Sequence, residues 1–237
     1  LGPIIAGAAA SFWGDWKLIF AVYAATTLVS TVWLISTISG KEKLEEAKAT
    51  FGTTLSLFSD KYITSLFLGI LFIVGIDVGL NTTIPKLLME RTGMALSEAG
   101  LGTSLYFAAR TIGSFVGAFL LAKLSASRFL KYSMFVVIVA FVLLLAVPDT
   151  WSMFVMIVIV GLACANVFSI IFSFALQHKP ERANEISALM IMGVSGGALI
   201  TPLMGIVADG FGQVAGLSIL LLCILYICLI SFGIDKK

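Results

Sequence analysis

Hydrophobic residues fall along this chain in long, nearly unbroken blocks separated by short polar stretches. A helix that crosses a bilayer needs about 20 predominantly apolar residues. Seven blocks read as full spans, over residues 18–38, 63–88, 101–123, 130–147, 153–176, 186–207 and 214–233, and an eighth, 1–12, as a partial one. The blocks are continuous rather than alternating, so the pattern predicts helices and not the dyad-patterned strands of a membrane barrel. The expected fold class is all-α: a polytopic transmembrane helix bundle with one partial and seven full spans.

One connection is long. Residues 39–62 put their charges first and then space Leu44, Phe51, Leu55 and Phe58 apart, the pattern of an amphipathic surface helix, with Ser59 or Asp60 capping the next span. This divides the chain into the end of one bundle (1–38), a cytoplasmic linker (39–62) and a six-span bundle (63–237). The six spans repeat a scheme. The first carries Asp77 and Asn81 on one face, the second Tyr106, Arg110 and Ser114, and the third is plain after Ser133. The fourth carries Asn166, Ser169 and Ser173, the fifth Gly193, Gly197 and Thr201, and the sixth is again plain. Striped, striped, plain, twice over, is the signature of a nested three-plus-three repeat, with the plain spans facing lipid and the striped ones a cavity.

An ionisable residue at bilayer depth is a functional-site hypothesis by default. Asp77 lies in the middle of such a span, with Asn81 a turn later and Gly75, Gly79 and Pro85 loosening the helix around them. At about 1.5 Å of rise per residue, Asp77 and Arg110 each lie about 15 Å from the same end of two sequential, antiparallel spans. The two charges are therefore expected at one level, either as a structural ion pair or in a network with substrate hydroxyls. Asn166, both donor and acceptor, suits a hydroxyl of a bound solute or, equally, helix–helix hydrogen bonding. Gly193, Gly196, Gly197 and Pro202 are expected to permit close packing and flexing. Gln177 and His178 read as part of a plain solvated loop, and Tyr106 is no more than a possible stacking surface.

Composition sharpens the class. The chain is 59% hydrophobic and only 12% charged, with a mean hydropathy of +1.08, against roughly 25% charged residues in soluble domains. A net charge of +2 gives no reason to expect nucleic acid as a partner. The expected partners are the lipid bilayer and a small solute. Cys164, Cys223 and Cys228 sit in apolar runs and read as small buried hydrophobes. The single His178 excludes a histidine metal centre, and no nucleophile–base or paired-carboxylate arrangement stands at span depth, so no enzyme activity and no cofactor are expected. Lysine and arginine fix an orientation. Alternate loops hold Lys41, Lys43, Lys48, Lys61, Lys123, Arg128, Lys131, Lys179, Arg182, Lys236 and Lys237, and the opposite side only Lys17, Lys86 and Arg91. By the positive-inside rule the first set, with the C-terminus, is cytoplasmic. Trp13, Trp16, Trp33 and Trp151 stand near span ends, where indoles favour the interface. Leu1 opens on an apolar segment without Met or a charged leader, which reads as the C-terminal part of a longer polypeptide.

Several motifs resemble the major facilitator superfamily and, within it, the fucose–galactose–glucose:proton symporter family. The most specific runs Gly196-Gly197-Ala198-Leu199-Ile200-Thr201-Pro202-Leu203-Met204-Gly205 and closes with Ala208-Asp209, similar to that family's eleventh span. Asn166-Val167-Phe168-Ser169-Ile170-Ile171-Phe172 resembles the tenth-span pattern with its proline replaced by Ser169, and Arg110-Thr111-Ile112-Gly113 the eighth. Val74-Gly75-Ile76-Asp77 resembles the seventh, with Asp for the commoner Glu, and Gly2-Pro3-Ile4-Ile5-Ala6-Gly7 the fifth. The basic loop motif between the eighth and ninth spans keeps Lys123, Arg128 and Lys131 but lacks its acid.

The resemblance implies spans five (partial) to twelve of a twelve-span bacterial inner-membrane transporter, with the N-terminal half as partner. It also implies uptake of a hexose or deoxyhexose such as fucose, glucose or galactose by alternating access, with the proton as coupling ion. Its principal coupling acids would lie in the first and fourth spans. A carboxylate paired with Arg110 stays ionised, which argues against Asp77 as the proton carrier. The implied substrate contacts are Asp77, Asn81, Arg110 and Asn166. The alternatives are an exporter or uniporter of another small solute on the same fold, or a non-transporting membrane sensor.

Overall fold

The computed structural model describes residues 18–37 and 50–234, and among them every regular element is a helix. The chain divides into two compact units, Leu1–Lys48 and Ala49–Lys237. In the first, α1 (Leu18–Ser36) is a single apolar helix of 19 residues, about 28 Å long. It exposes Leu28, Trp33 and Ile35. The expected partial span over 1–12 and the charged start of the linker lie outside the described residues.

The second unit opens with a short helix, α2 (Phe51–Ser56), and a 3₁₀ turn, Leu57–Ser59, that buries Leu57. Long helices follow: α3 (Lys61–Thr92), α4 (Leu96–Leu121) and α5 (Ala126–Ala146). Next come α6 (Thr150–Cys164) and α7 (Val167–His178), then α8 (Ala183–Met192) and α9 (Gly196–Phe211), and finally α10 (Gln213–Gly233). α6 and α7 form one interrupted span, as do α8 and α9 with the 3₁₀ turn Gly193–Ser195 between them. Among the described residues, six stretches are thus long and apolar enough to cross a membrane, in the order the apolar blocks predict over 63–233.

Capping chemistry sets the ends. α3 begins where Asp60 accepts hydrogen bonds from the backbone N–H groups of Tyr62 (2.9 Å) and Ile63 (3.4 Å). It stops at Gly93, whose φ of +69° is the left-handed conformation that favours glycine at a helix end. α3 therefore outruns the apolar block 63–88 at both ends, because backbone hydrogen bonding continues past the point where Lys61, Glu90 and Arg91 enter the polar interface. A second left-handed glycine, Gly212 at φ +89°, separates α9 from α10.

α3 is the axis of this unit, packing on α4, α7, α9 and α10. The repeat expected from the polar striping is visible in the packing. The first span (α3) packs on the fifth and sixth (α9, α10), as the fourth (α6) packs on the second and third (α4, α5). The plain spans bury one side and present apolar residues on the other. α5 buries Met134, Val137 and Phe141 and exposes Phe135, Val139 and Val142; α10 buries Leu220, Ile224 and Ile227 and exposes Leu222, Leu225 and Leu229.

Glycine makes two of these seams close. A Cβ on Gly196 would overlap the Leu71 carbonyl oxygen, and one on Gly75 would come within 2.5 Å of Ile200 Cγ1. Across the same α3–α9 region, an added Cβ would come within 2.7 Å of Val78 at Gly197, 2.9 Å of Ile70 at Gly193 and 2.7 Å of Met204 at Gly79. The α4–α6 seam does the same: a Cβ on Gly113 would come within 2.6 Å of the Leu162 carbonyl oxygen, and one on Gly161 within 2.6 Å of that of Tyr106. Close backbone approach through small residues is how membrane helices gain packing energy without a hydrophobic drive between them.

Candidate functional site

At about 100° per residue, Val74, Val78, Asn81, Thr82 and Pro85 share one arc of α3, and all are exposed or half-buried. Along one edge of this arc, Asp77 turns toward α4. Along the other, Gly75 and Gly79 pack on α9. The open strip of α3 is thus a groove floor bounded by α4 and α9. On α4, Phe107, Arg110, Thr111 and Ser114 are likewise half-buried or exposed.

Asp77 and Arg110 meet across the α3–α4 seam as a salt bridge between Oδ1 and Nη1. The depth matching that places them at one level is realised as contact. Their side chains keep 17% and 20% of their surface exposed, so the pair is accessible from the groove. The structure adds a third member to the pair. The hydroxyl of Tyr106, a fully buried side chain, donates to the same Asp77 oxygen at 2.6 Å, and Arg110 Nη1 reaches the Tyr106 oxygen at 3.5 Å. The available signal was the i, i+4 spacing of Tyr106 and Arg110, which puts both over one turn of α4. Tyr106 is a hydrogen-bonding member of the network, not a stacking surface.

Asn81 is exposed on the groove floor. Proline has no N–H to offer the residue four positions earlier, so Pro85 leaves the Asn81 carbonyl free of its helical partner. Thr103 of α4 donates its hydroxyl to that carbonyl at 3.4 Å. Asn166 sits in the break between α6 and α7, is 9% exposed, and donates its amide N–H to the Gly113 carbonyl of α4 at 2.9 Å. Gly117 lacks a side chain where the Asn166 amide lies. Of the two uses expected for Asn166, helix–helix bonding is the one this geometry displays. Ser169 and Ser173 are exposed a turn apart on α7, with Gln177 donating to Ser173 at 2.8 Å. Pro202 is exposed on α9, while Gly193, Gly196 and Gly197 are packed away against α3.

The loop expected to be plainly solvated is instead tied down. Asp60 accepts from Lys179 (2.7 Å) and pairs with His178 Nε2 (3.1 Å), whose ring lies 4.5 Å from that of Tyr62. The Lys179 ammonium first, then His178 and the two amide N–H groups, hold the Asp60 carboxyl below the usual carboxylate range, although partial burial works against them. Arg182 donates to the Thr53 carbonyl (2.6 Å) and the Ser56 hydroxyl (3.1 Å), fastening α2 to the α7–α8 turn. Partners 118 positions apart in sequence leave no local signature.

Six bilayer-length helices around an accessible charge pair define a multi-pass membrane protein with a polar site at mid-depth. The Major Facilitator Superfamily model matches residues 1–202, and the chain belongs to that family. Among curated relatives, a putative glucose/galactose transporter of Helicobacter pylori (strain J99 / ATCC 700824) is 26% identical over 157 residues. That match takes in 66% of this chain and 38% of the relative. A glucose/galactose transporter of Brucella abortus biovar 1 (strain 9-941) is 25% identical over 162 residues, 68% of this chain and 39% of that one. The match therefore spans about two fifths of these relatives' length.

Among solved structures, the Major Facilitator Superfamily transporter FucP in the outward conformation superposes with a TM-score of 0.77 at 17% identity. The superposition covers 93% of this chain and 55% of FucP. A bacterial homolog of the human lysosomal transporter Spinster, inward-facing and unoccupied, superposes with a TM-score of 0.66 at 19% identity. It covers 100% of this chain and 66% of that one. At these identities the structural likeness carries the fold.

Proposed function

We propose that this chain supplies the substrate-binding second half of a proton-coupled sugar transporter, taking up a hexose or deoxyhexose across a bacterial inner membrane with its C-terminus in the cytoplasm. The observation that carries the reading is the Asp77–Arg110–Tyr106 network, partly open at mid-depth to the strip of α3 that carries Asn81 and Thr82. A sugar offers hydroxyls that both donate and accept. Arg110 supplies donors, Asp77 acceptors and Asn81 both. Tyr106 keeps Asp77 hydrogen-bonded when Arg110 turns to a substrate hydroxyl, so exchanging one partner leaves no bare carboxylate. Asn166 acts one layer back, holding the α6–α7 break against α4. The names of the glucose/galactose transporters to which the chain is similar agree with this substrate class.

In this reading the proton travels through acids of the other half, and residues 63–237 rock against that half over the linker at 39–62. The mechanism is alternating access, with rigidity within each bundle and motion between bundles. The test uses the full-length polypeptide in proteoliposomes with D-glucose, D-galactose and L-fucose. Uptake of at least one sugar should raise external pH as protons enter with it, and Arg110→Gln should abolish uptake. Sugar uptake without proton movement would leave a uniporter. Absence of uptake of all three would overturn the sugar reading and favour the exporter or sensor alternatives.

A further inference from the structure

Between them, α4, α5 and α6 leave an open apolar groove with a volume of about 390 Å³. Gly113, Val116 and Leu120 of α4, Phe129 and Val136 of α5, and Leu162 of α6 form its walls, and only Tyr132 and Ser133 bring polar side-chain atoms to it. A smaller apolar hollow of about 250 Å³ follows along α5 and α6, bounded by Phe135, Val139, Leu143 and Met156. The two share Val136 and Ile159, so they form one path. From Phe129 to Leu143 this path runs about 21 Å along α5, longer than the roughly 15 Å depth of one leaflet's hydrocarbon.

One end of the path is basic. α4 ends at Leu121 and the chain re-enters α5 at Ala126, so Leu124 and Phe129 bound the groove at the Asp60 end of the bundle. The stretch from Lys123 to Lys131 holds cations and no acid. Lys123 and Arg128 directly precede Leu124 and Phe129 of the groove lining, and both are exposed. Arg128 Nε donates to the Ser125 hydroxyl at 3.0 Å, which holds the guanidinium over the turn. Neither Lys123 nor Arg128 forms an ion pair among the described residues, whereas at the same end Lys179 is taken up by Asp60 and Arg182 by α2. Lys131 reaches toward α10, its ammonium 5.3 Å from the centre of the Phe232 ring. The acids of the neighbouring helices, Glu98 and Asp149, stand at the opposite ends of α4 and α6.

A long apolar path closed at one end by uncompensated cations fits an acyl chain joined to an anionic headgroup. A zwitterionic headgroup brings its own ammonium and gains less from the two cations. We propose that this groove seats one acyl chain of an anionic phospholipid, whose headgroup phosphate rests on Lys123 and Arg128. The seat backs the α4–α6 seam: Gly113, part of its wall, accepts the Asn166 amide bond and lies three residues from Arg110. The proposal needs only a chain that spans the membrane and stands apart from the sugar-transport reading.

Phe135→Trp in the full-length protein, reconstituted in phosphatidylcholine vesicles, places a fluorophore beside the path, about 9 Å along α5 from Phe129. Its quenching by phosphatidylglycerol brominated at mid-chain is compared with quenching by equally brominated phosphatidylcholine, with the parent protein as background for the native tryptophans. One basic side chain near the surface favours an anionic lipid about five-fold, so the pair predicts a preference of about 25-fold for phosphatidylglycerol at this fluorophore. Lys123→Gln and Arg128→Gln should each lower it about five-fold. Filling the groove with Val116→Phe or, independently, with Ala163→Leu should remove most of the preference with both cations in place. Equal quenching by the two lipids, or a preference unchanged in both Gln variants, would overturn the headgroup site. A preference that survives both filling variants would mean surface attraction without a seated chain and overturn the groove. Absence of quenching by either lipid would mean that protein, from the rest of the polypeptide or a second copy, covers the groove, and would overturn the proposal.

Discussion

The two ways of breaking the Asp77–Arg110 pair should not cost the same. With Asp77→Asn, the guanidinium loses its counter-charge and keeps only neutral acceptors, the new amide oxygen and the Tyr106 oxygen 3.5 Å away. An unpaired arginine near the centre of a spanning helix costs about 2.5–3.5 kcal/mol on insertion scales, and a guanidinium has no neutral form to adopt. With Arg110→Gln, Asp77 keeps the 2.6 Å bond from Tyr106. A hydrogen bond to a charged group offsets about 1.5–3 kcal/mol, and a carboxyl does have a neutral protonated form. The expected destabilisations are therefore about 3 kcal/mol for Asp77→Asn and about 1 kcal/mol for Arg110→Gln.

The double variant removes both charges and should cost about 1 kcal/mol, giving a coupling of about 3 kcal/mol in the cycle. The remaining exposure of 17–20% admits some water and places these values at the low end for a broken buried pair. Reversible SDS-induced unfolding of the full-length protein in mixed micelles reads all four corners. Additive single costs, or Arg110→Gln as damaging as Asp77→Asn, would refute the reasoning. Sugar uptake by the double variant separates the two roles: normal uptake would mean the pair only locks α3 to α4.

Three further perturbations follow from the packing and the termini. Gly196→Ala drives a Cβ into the Leu71 carbonyl oxygen and should cost about 1–3 kcal/mol or more; Gly205→Ala meets nothing within 4 Å and should gain about 0.5–1 kcal/mol from helix propensity, both read as thermal shifts in detergent. Gly117→Ala should be damaging alone and tolerated beside Asn166→Ala, because the Asn166 amide occupies the space the new methyl needs; Asn166→Ala itself should cost about 0.6–1.7 kcal/mol. Asp60 is held below its ordinary value by Lys179, so its stabilising contribution is present above the unfolded value of about 3.9 and is lost as pH falls from there toward the depressed folded value. The Tm difference between wild type and Asp60→Asn, which keeps a competent N-cap, should shrink on acidification below that point, and a difference that grew would contradict the assignment.

Depth was legible in the sequence and azimuth was not. A run such as 63–88 states how far a helix reaches through the bilayer, and counting rise per residue put Asp77 and Arg110 at one level. The same counting cannot say which way a side chain points around its helix relative to a neighbour. Tyr106 therefore looked like one aromatic among many, and Asn166 was left between two uses. Asp60, His178 and Lys179 looked like unrelated loop residues, although the fold brings the start of the first span beside the end of the fourth. The glycines were legible as small residues in spans, but which backbone each admits, Leu71 for Gly196 or Leu162 for Gly113, depends on helix order in space. Thr201 was legible as a polar residue on the stripe of the fifth span, but its missing back-bond appears only in the structure.

The placement of the charge pair follows from where glycine is not used to close a seam at mid-depth. α3 is locked to α9 by Gly75, Gly193, Gly196 and Gly197, and α4 to α6 by Gly113 and Gly161, so the paired spans meet almost backbone to backbone. These two close seams are related by the three-plus-three repeat and leave little room for either pair to shear internally. The α3–α4 seam lies within the first repeat and joins these two closely packed pairs to each other. Its glycine contact, Gly102 against Leu88 and Ile84, lies toward the Gly93 end of α3, while at mid-depth the link is polar: Asp77 to Arg110 and Tyr106, with Thr103 to the Asn81 carbonyl a turn away. Hydrogen bonds can be exchanged for bonds to a ligand, whereas a glycine-packed seam offers a ligand nothing to replace. On the proposed sugar-transport reading, a solute entering the groove would compete directly for the polar link between the two glycine-packed helix pairs, where the bundle is held together by exchangeable bonds.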